Sequence, residues 1–132
     1  MKNITYKVTL LIVLCSLCTV DLVAQLKVRA TVYQPTRSQT DDTPLITADG
    51  SKIDLNLLNR GYIRWIAISP DLLDMGYEMG DVVYIEGVGR RTGIYEIHDL
   101  MNERHRLSVD ILICLHCKPD LWREAFLYET MH

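Results

Sequence analysis

Residues 81–98, with the sequence DVVYIEGVGRRTGIYEIH, contain two short runs of alternating apolar and polar side chains separated by glycines. The alternation predicts one strand at Asp81–Glu86 and another at Thr92–His98, with a turn between them. Similar runs on both sides predict three further strands, at Leu26–Tyr33, Ile63–Ile68 and Leu107–Ile113. Short strands divided by turn signals, without a long amphipathic helix, indicate an all-β domain whose sheet closes into a barrel.

The segments between these strands are predicted to form a loop and two short helices. Gln34–Pro44 is polar and contains two prolines, which indicates a long loop. Ser69 followed by Pro70 is typical of a helix start, with Ser69 as the cap. Lys118–Asp120 predicts a second start, for a helix that places Trp122 and Phe126 one turn apart on one face. No internal repeat or linker interrupts the chain, so we expect one compact, monomeric domain.

The overall composition excludes several functional classes. The chain has 132 residues, 48% of them hydrophobic and 23% charged, which is too apolar for a disordered protein and long enough for one domain. A net charge of −3 without a basic run lacks the electrostatic pattern of a nucleic-acid-binding protein. Neither a dinucleotide-binding nor a phosphate-binding glycine motif is present.

The first 24 residues have the pattern of a secretory signal peptide. Lys2 and Lys7 form a basic start, Val8–Val20 is a short apolar run, and Ala24 is a small residue at the predicted cleavage site. The run is too short for a stable membrane anchor, although an uncleaved anchor is the main alternative. A lipoprotein acylated at Cys15 or Cys18 fits less well. We therefore expect an exported protein, in the periplasm or outer envelope, that keeps residues 25–132 and no membrane span.

The densest polar cluster is predicted between two strands, at His98–His105. Asp110 follows in the next strand between Val109 and Ile111, so its side chain points to the opposite face from theirs. An aspartate within an apolar strand costs free energy unless its carboxyl group is solvated or paired with another polar group, so its presence can indicate a functional role. If a hairpin brings Asp99 and Asp110 together, repulsion and burial should raise one pKa and produce a general acid. The alternative is that Asp99 caps a turn and Asp110 faces solvent.

Six short motifs occur along the chain in a characteristic order and spacing. In chain order they are Ala30–Tyr33, Thr47–Gly50, Ile66–Pro70, Gly80–Gly87, His98–Asp99 with Met101–Asn102, and Val109–Ile111. Together they resemble the "three-aspartate" (3D) domain and the related barrel of rare lipoprotein A, over about residues 28–115. These families belong to the double-psi β-barrel superfamily, which includes the catalytic barrel of membrane-bound lytic transglycosylase A. The resemblance implies a six-stranded double-psi β-barrel.

The resemblance also implies a site for peptidoglycan glycan strands. In the lytic transglycosylases of this superfamily, one aspartate protonates the bridging oxygen between the two sugars, and the muramic acid C6 hydroxyl closes on C1. Carried over by position, Asp110 would be the acid/base, and Asp99 would hold or tune it. The motif positions predicted to bind substrate are Thr47, Gly50, Tyr33, His98, Asn102 and Ser69.

The sequence departs from the family pattern at three positions. Ser69 stands where the 3D domain has its first aspartate and rare lipoprotein A has a histidine, and Asp49 replaces a serine of the loop. Leu100 replaces a threonine or arginine. Since two of three aspartates remain, both a cleaving enzyme and a non-catalytic glycan-binding or envelope-assembly module stay open. No cofactor or metal is predicted for either.

Two further features have competing interpretations. Cys114-Leu115-His116-Cys117 predicts a disulfide or a pair of free thiols. A redox motif lacks the usual βαβ context, and a zinc site with His98 or His105 lacks the paired ligand spacing. The aromatic side chains of Tyr33, Trp65 and Tyr95 could either stack against sugars or pack in a core.

Overall fold

The computed structural model describes residues 24–130, and the predicted signal peptide falls almost wholly outside them. The strands are β1 (Gln25–Tyr33), β2 (Trp65–Ile68), β3 (Val82–Glu86), β4 (Gly93–Leu100), β5 (Ser108–Leu112) and β6 (Leu121–Glu129). The helices are α1 (Leu55–Asn59), α2 (Pro70–Asp74) and a 3₁₀ turn at Gly89–Arg91. None of these helices is long and apolar enough to cross a membrane.

The six strands close into a barrel in the order β1-β5-β2-β4-β3-β6. The β1–β5 and β2–β4 pairs are parallel, and the other four pairs are antiparallel. The all-β fold class and the closed barrel predicted from the strand pattern, and the six strands that the resemblance implies, are therefore confirmed.

The main core fills the inside of the barrel, and every strand contributes to it. Alternation turns every second side chain inward, as expected for a pleated strand. The inward residues with least exposure are Val28, Ala30, Ile66, Ile68, Val83, Ile85, Tyr95, Ile97, Val109, Ile111, Ala125 and Leu127.

A second, smaller core lies on the outer face of β1, β5 and β2. There the segment between β1 and β2, which includes α1, covers outward residues of the three strands. Its members are Tyr33, Ile53, Leu58, Ile63, Ala67 and Leu112. The covering segment excludes solvent from this part of the outer face. The candidate site lies at the edge of the covered region.

The helix predicted from Lys118 to Phe126 is wrong, because this segment forms β6. It pairs antiparallel with both β1 and β3 and so closes the barrel. Val28 pairs with Ala125 and Ala30 with Trp122, so β6 carries an extra residue at Arg123–Glu124. This bulge interrupts the alternation of the strand, and it allows both Trp122 and Ala125 to pack against the main core.

Candidate functional site

Asp99 and Asp110 lie on either side of Ala67, on the outer face of the barrel. The register pairs Ala67 with Asp110 of β5 and with Asp99 of β4. Neighbouring strands are about 4.8 Å apart, so the two aspartate backbones are separated by roughly 10 Å. The expected hairpin between β4 and β5 is wrong, because both strands pair with β2 instead.

A β-bulge in β4 turns the Asp99 side chain towards this face. Ile66 pairs with Ile97, whereas the next residue, Ala67, pairs with Asp99, so His98 is an extra residue. Without it, strict alternation would direct Asp99 into the apolar barrel, alongside Ile97. Asp99 is thus part of β4 and not of the following loop, in contrast to the sequence prediction.

The two aspartates form the floor of an open cleft of about 460 Å³, together with Tyr33 and Ala67. One wall, here called the 39–48 wall, comes from the long loop after β1. The opposite 100–105 wall comes from the connection between β4 and β5. Of the predicted substrate-binding residues, Thr47 lies in the first wall, Asn102 in the second and Tyr33 in the floor.

Asp110 has the properties of a carboxyl group that titrates near neutral pH. Its Oδ1 accepts a hydrogen bond from the Thr31 hydroxyl at 2.8 Å. Burial raises the pKa of Asp110 to about 6, the Thr31 hydrogen bond acts in the opposite direction, and the Asp99 charge adds to the rise. About half of the molecules therefore carry a protonated Asp110 at pH 6. The raised pKa agrees with the sequence-based hypothesis, and burial is its main cause.

Three hydrogen-bond donors hold the Asp99 carboxylate, which connects separate parts of the cleft. Its Oδ2 accepts from the Tyr33 hydroxyl at 3.0 Å, and its Oδ1 accepts from the backbone N–H groups of Ala48 and Leu100, each at 2.9 Å. Burial, followed by the Asp99 charge, raises the pKa of Tyr33, so its hydroxyl remains a donor. Asp99 thus connects the 39–48 wall to the floor.

His98 lies behind the cleft and fastens the loop that bears Asp49. Its Nδ1 contacts Asp49 Oδ2 at 2.6 Å and Ser51 Oγ at 3.2 Å, and its Nε2 contacts Glu96 at 3.0 Å. Asp49 and Ser51 share one ring nitrogen, so the group is not a Ser–His–Asp relay, which uses both nitrogens. Burial opposes ionisation of Asp49, but hydrogen bonds from Thr47, Ser51 and His98 lower its pKa to about 2.

Three of the predicted residues do not line the cleft. Ser69 is the N-cap residue of α2, as predicted, but it is fully buried, and its Oγ accepts a hydrogen bond from the Ser108 backbone N–H at 3.0 Å and makes no capping hydrogen bond. Gly50 has a φ of 84° and makes the turn that follows Thr47, while His98 stabilises the same loop from behind. These three residues shape the surroundings of the cleft.

The proposed aromatic stacking surface does not exist, since the three side chains point in different directions. Tyr95 lies inside the barrel and donates a hydrogen bond to the Arg91 carbonyl. Trp65 packs against the His98 ring at 4.3 Å between centroids. Only Tyr33 reaches the cleft.

Several residues of the cleft were not identified from the sequence, among them Gln39, Thr40 and Asp41 of the long loop. Arg104 and His105 of the opposite wall belong to the polar cluster predicted at His98–His105. Loop residues have no periodicity from which their direction could be inferred. Thr31 could have been found, because it shares the outer face of β1 with Tyr33.

The Asp110→Asn variant is expected to be more stable than the wild type at pH 7.5, by about 2 kcal/mol. The folded-state pKa of Asp110 lies above its ordinary value of 3.8, so the folded protein binds the extra proton between these two pH values. Wild-type stability therefore falls as pH rises from about 4 to 6, whereas asparagine stays neutral and still accepts from Thr31.

Urea unfolding at pH 4 and pH 7.5 measures this difference. The gain at pH 7.5 should vanish at pH 4. Asp74→Asn, at the exposed end of α2, is the matched control and should show no such pH dependence. A pH-independent difference between Asp110→Asn and wild type would contradict the raised pKa.

The residues described do not form a metal centre. Between residues 24 and 130, no group of three or more histidine, cysteine, aspartate or glutamate side chains is placed to hold a metal ion. Cys114 and Cys117 are joined in a disulfide.

A scan against models of protein families and a search of curated proteins both found no match to this chain.

Proposed function

We propose that the protein is an exported, peptidoglycan-active enzyme of the lytic transglycosylase type, on a double-psi β-barrel related to the 3D and rare lipoprotein A families. The closed ring of six strands with two parallel pairs is compatible with such a barrel. The order of the sequence motifs supports the same family. The cleft is open to solvent and has polar residues in both walls, as a site for a sugar chain requires.

The observation that carries the proposal is Asp110, a partly buried carboxyl group with a pKa of about 6 on the floor of this cleft. A protonated Asp110 can donate its proton to the bridging oxygen as the bond from C1 of muramic acid breaks. The C6 hydroxyl then bonds to C1, and its proton passes to the Asp110 carboxylate. One acid/base group completes this cycle and yields a 1,6-anhydro end.

The environment of Asp99 favours this mechanism over ordinary glycoside hydrolysis. A hydrolase requires a second carboxylate that attacks C1 or activates water. Both oxygens of Asp99 are already engaged by Tyr33, Ala48 and Leu100. Asp99 is therefore suited to positioning the cleft, and Asp110 remains as the acid/base.

A non-catalytic glycan-binding or envelope-assembly module is the second candidate function. The feature in its favour is Ser69, which occupies the position of the first family aspartate and is sealed in the fold with no exposure. Any contribution of that family residue to cleavage is missing here, whereas the cleft itself is intact.

Digestion of purified peptidoglycan sacculi distinguishes the two functions. The enzyme should release fragments with 1,6-anhydromuramic ends, detectable by mass spectrometry and absent from a mock digestion without protein. Intact glycan that co-sediments with the protein would instead support the binding module. Fragments with ordinary reducing ends would contradict transglycosylation, and neither cleavage nor binding would contradict both functions.

A further inference from the structure

A second cavity, of about 180 Å³, opens onto the Cys114–Cys117 disulfide. Both cysteines line it, together with Arg64, Arg91 and Tyr95. It shares no lining residue with the cleft between the two walls. The disulfide is thus accessible from a side of the molecule that the proposed glycan chemistry does not use.

The chemistry of this cavity favours an incoming thiolate. The Arg64 guanidinium lies 4.3 Å from the centre of the Tyr95 ring and donates hydrogen bonds to the carbonyls of Ile94 and Arg91, so it is held in place. Positive charge near a disulfide stabilises thiolates and attracts anionic thiols. Both cysteines are partly exposed, and Cys117 also packs against the main core, so we take Cys114 as the sulfur that is attacked.

The disulfide encloses only Leu115 and His116, so little loop-closure entropy supports it. Its stability depends instead on the contacts that hold the loop. The Gln34 Nε2 donates to the carbonyl oxygens of Cys114, Leu115 and Cys117, at 3.2, 3.0 and 3.2 Å. The Gln34 side chain therefore holds three backbone carbonyl groups of the disulfide loop together.

The same glutamine connects the disulfide loop to the cleft. The backbone N–H of Gln34 donates to Gln39 Oε1 at 2.9 Å, and Gln39 belongs to the 39–48 wall. A continuous set of hydrogen bonds thus runs from the disulfide loop through Gln34 to the wall. The conformation of the disulfide loop at one end therefore bears on the position of Gln34 and, through it, on the wall at the other end.

We propose that Cys114–Cys117 is a thiol-exchange site that an anionic thiol reaches through the second cavity. Reduction of this disulfide loosens the 39–48 wall of the cleft. The incoming thiolate bonds to the Cys114 sulfur while the disulfide breaks and Cys117 leaves as a thiolate. A second thiolate then attacks the mixed disulfide and frees Cys114. Two thiols are oxidised to one external disulfide, and the protein disulfide is reduced to two thiols.

Reduced glutathione, an anionic thiol, is the probe for the exchange step. Alkylation and peptide mass spectrometry of the full chain measure the rate at which Cys114 and Cys117 become free. We expect 2-mercaptoethanol, which carries no carboxylate, to react several-fold more slowly at equal thiolate concentration, and Arg64→Gln to reduce this preference. A disulfide that resists glutathione, or equal rates for both thiols, would overturn the exchange site.

Hydrogen exchange tests the link to the cleft without any glycan. Reduction should accelerate exchange at the amides of Gln34, Gln39 and Thr40 by about tenfold or more, while β2 and β5 remain protected. Gln34→Ala should produce the same acceleration with the disulfide intact, and Gln25→Ala, on the opposite end of β1, should not. Unchanged exchange at these amides after reduction would overturn the coupling. None of these measurements depends on whether the cleft cleaves peptidoglycan.

Discussion

The Asp110→Asn variant is expected to release 1,6-anhydro fragments from sacculi about a thousandfold more slowly than the wild type, because it removes the only proton donor proposed for the bridging oxygen. Asparagine has nearly the same shape and keeps the acceptor for Thr31, so the cleft should be unchanged. Co-sedimentation with sacculi should therefore stay at the wild-type level. The measurement is the initial rate of anhydro-fragment release, followed by mass spectrometry.

The pH dependence separates an acid from a merely structural aspartate. Cleavage by the wild type requires the protonated form, so its rate should fall above about pH 6, by up to tenfold per pH unit. Asp74→Asn, which makes the same chemical change at an exposed site, should match the wild type at every pH. Equal cleavage by Asp110→Asn and wild type would remove the proposed mechanism.

Asp99→Asn should behave differently, because Asp99 positions parts of the cleft and transfers no proton to the glycosidic bond. It loses part of its hydrogen bonding to Tyr33, Ala48 and Leu100, so we expect a weaker loss of cleavage. The fall of the rate with rising pH should persist, since Asp110 is still present. It should begin at a somewhat lower pH, because the Asp99 charge no longer helps to raise the pKa of Asp110. A flat pH profile in this variant would show that Asp99 belongs to the titrating unit.

The Leu127→Ala variant is expected to lose about 3 kcal/mol of unfolding free energy. Leu127 has no solvent exposure and belongs to the main core, on the strand that joins β1 to β3. Its truncation leaves a cavity in a close-packed barrel. The total free energy of unfolding of a small domain is only about 5–15 kcal/mol, so this loss is a large part of the stability.

Urea unfolding measures this loss, with Leu121→Ala as the matched control. Leu121 lies at the start of the same strand but is 43% exposed, so its truncation should cost less than about 1 kcal/mol. Similar costs at the two positions would contradict the role of β6 in closing the barrel.

The error at β6 shows how a local pattern can mislead. Pro119 follows Lys118 as at a helix start, and Trp122 and Phe126 are spaced as on a helix face. The bulge at Arg123–Glu124 removed the alternation that would have indicated a strand. Pairing with both β1 and β3 decided the outcome, because an unpaired gap there would leave two sheet edges open.

The sequence by itself determined the five strands with clear alternation and the outward direction of Asp110, because alternation is a property of neighbouring residues in a pleated chain. The separation of Asp99 from Asp110 followed only from the tertiary structure, which inserts β2 between their strands and adds the bulge at His98. The raised pKa of Asp110 also required it, since its burial depends on side chains that only tertiary contacts bring around it. Strand order, bulges and desolvation arise from contacts between residues far apart in the chain, which no local period encodes.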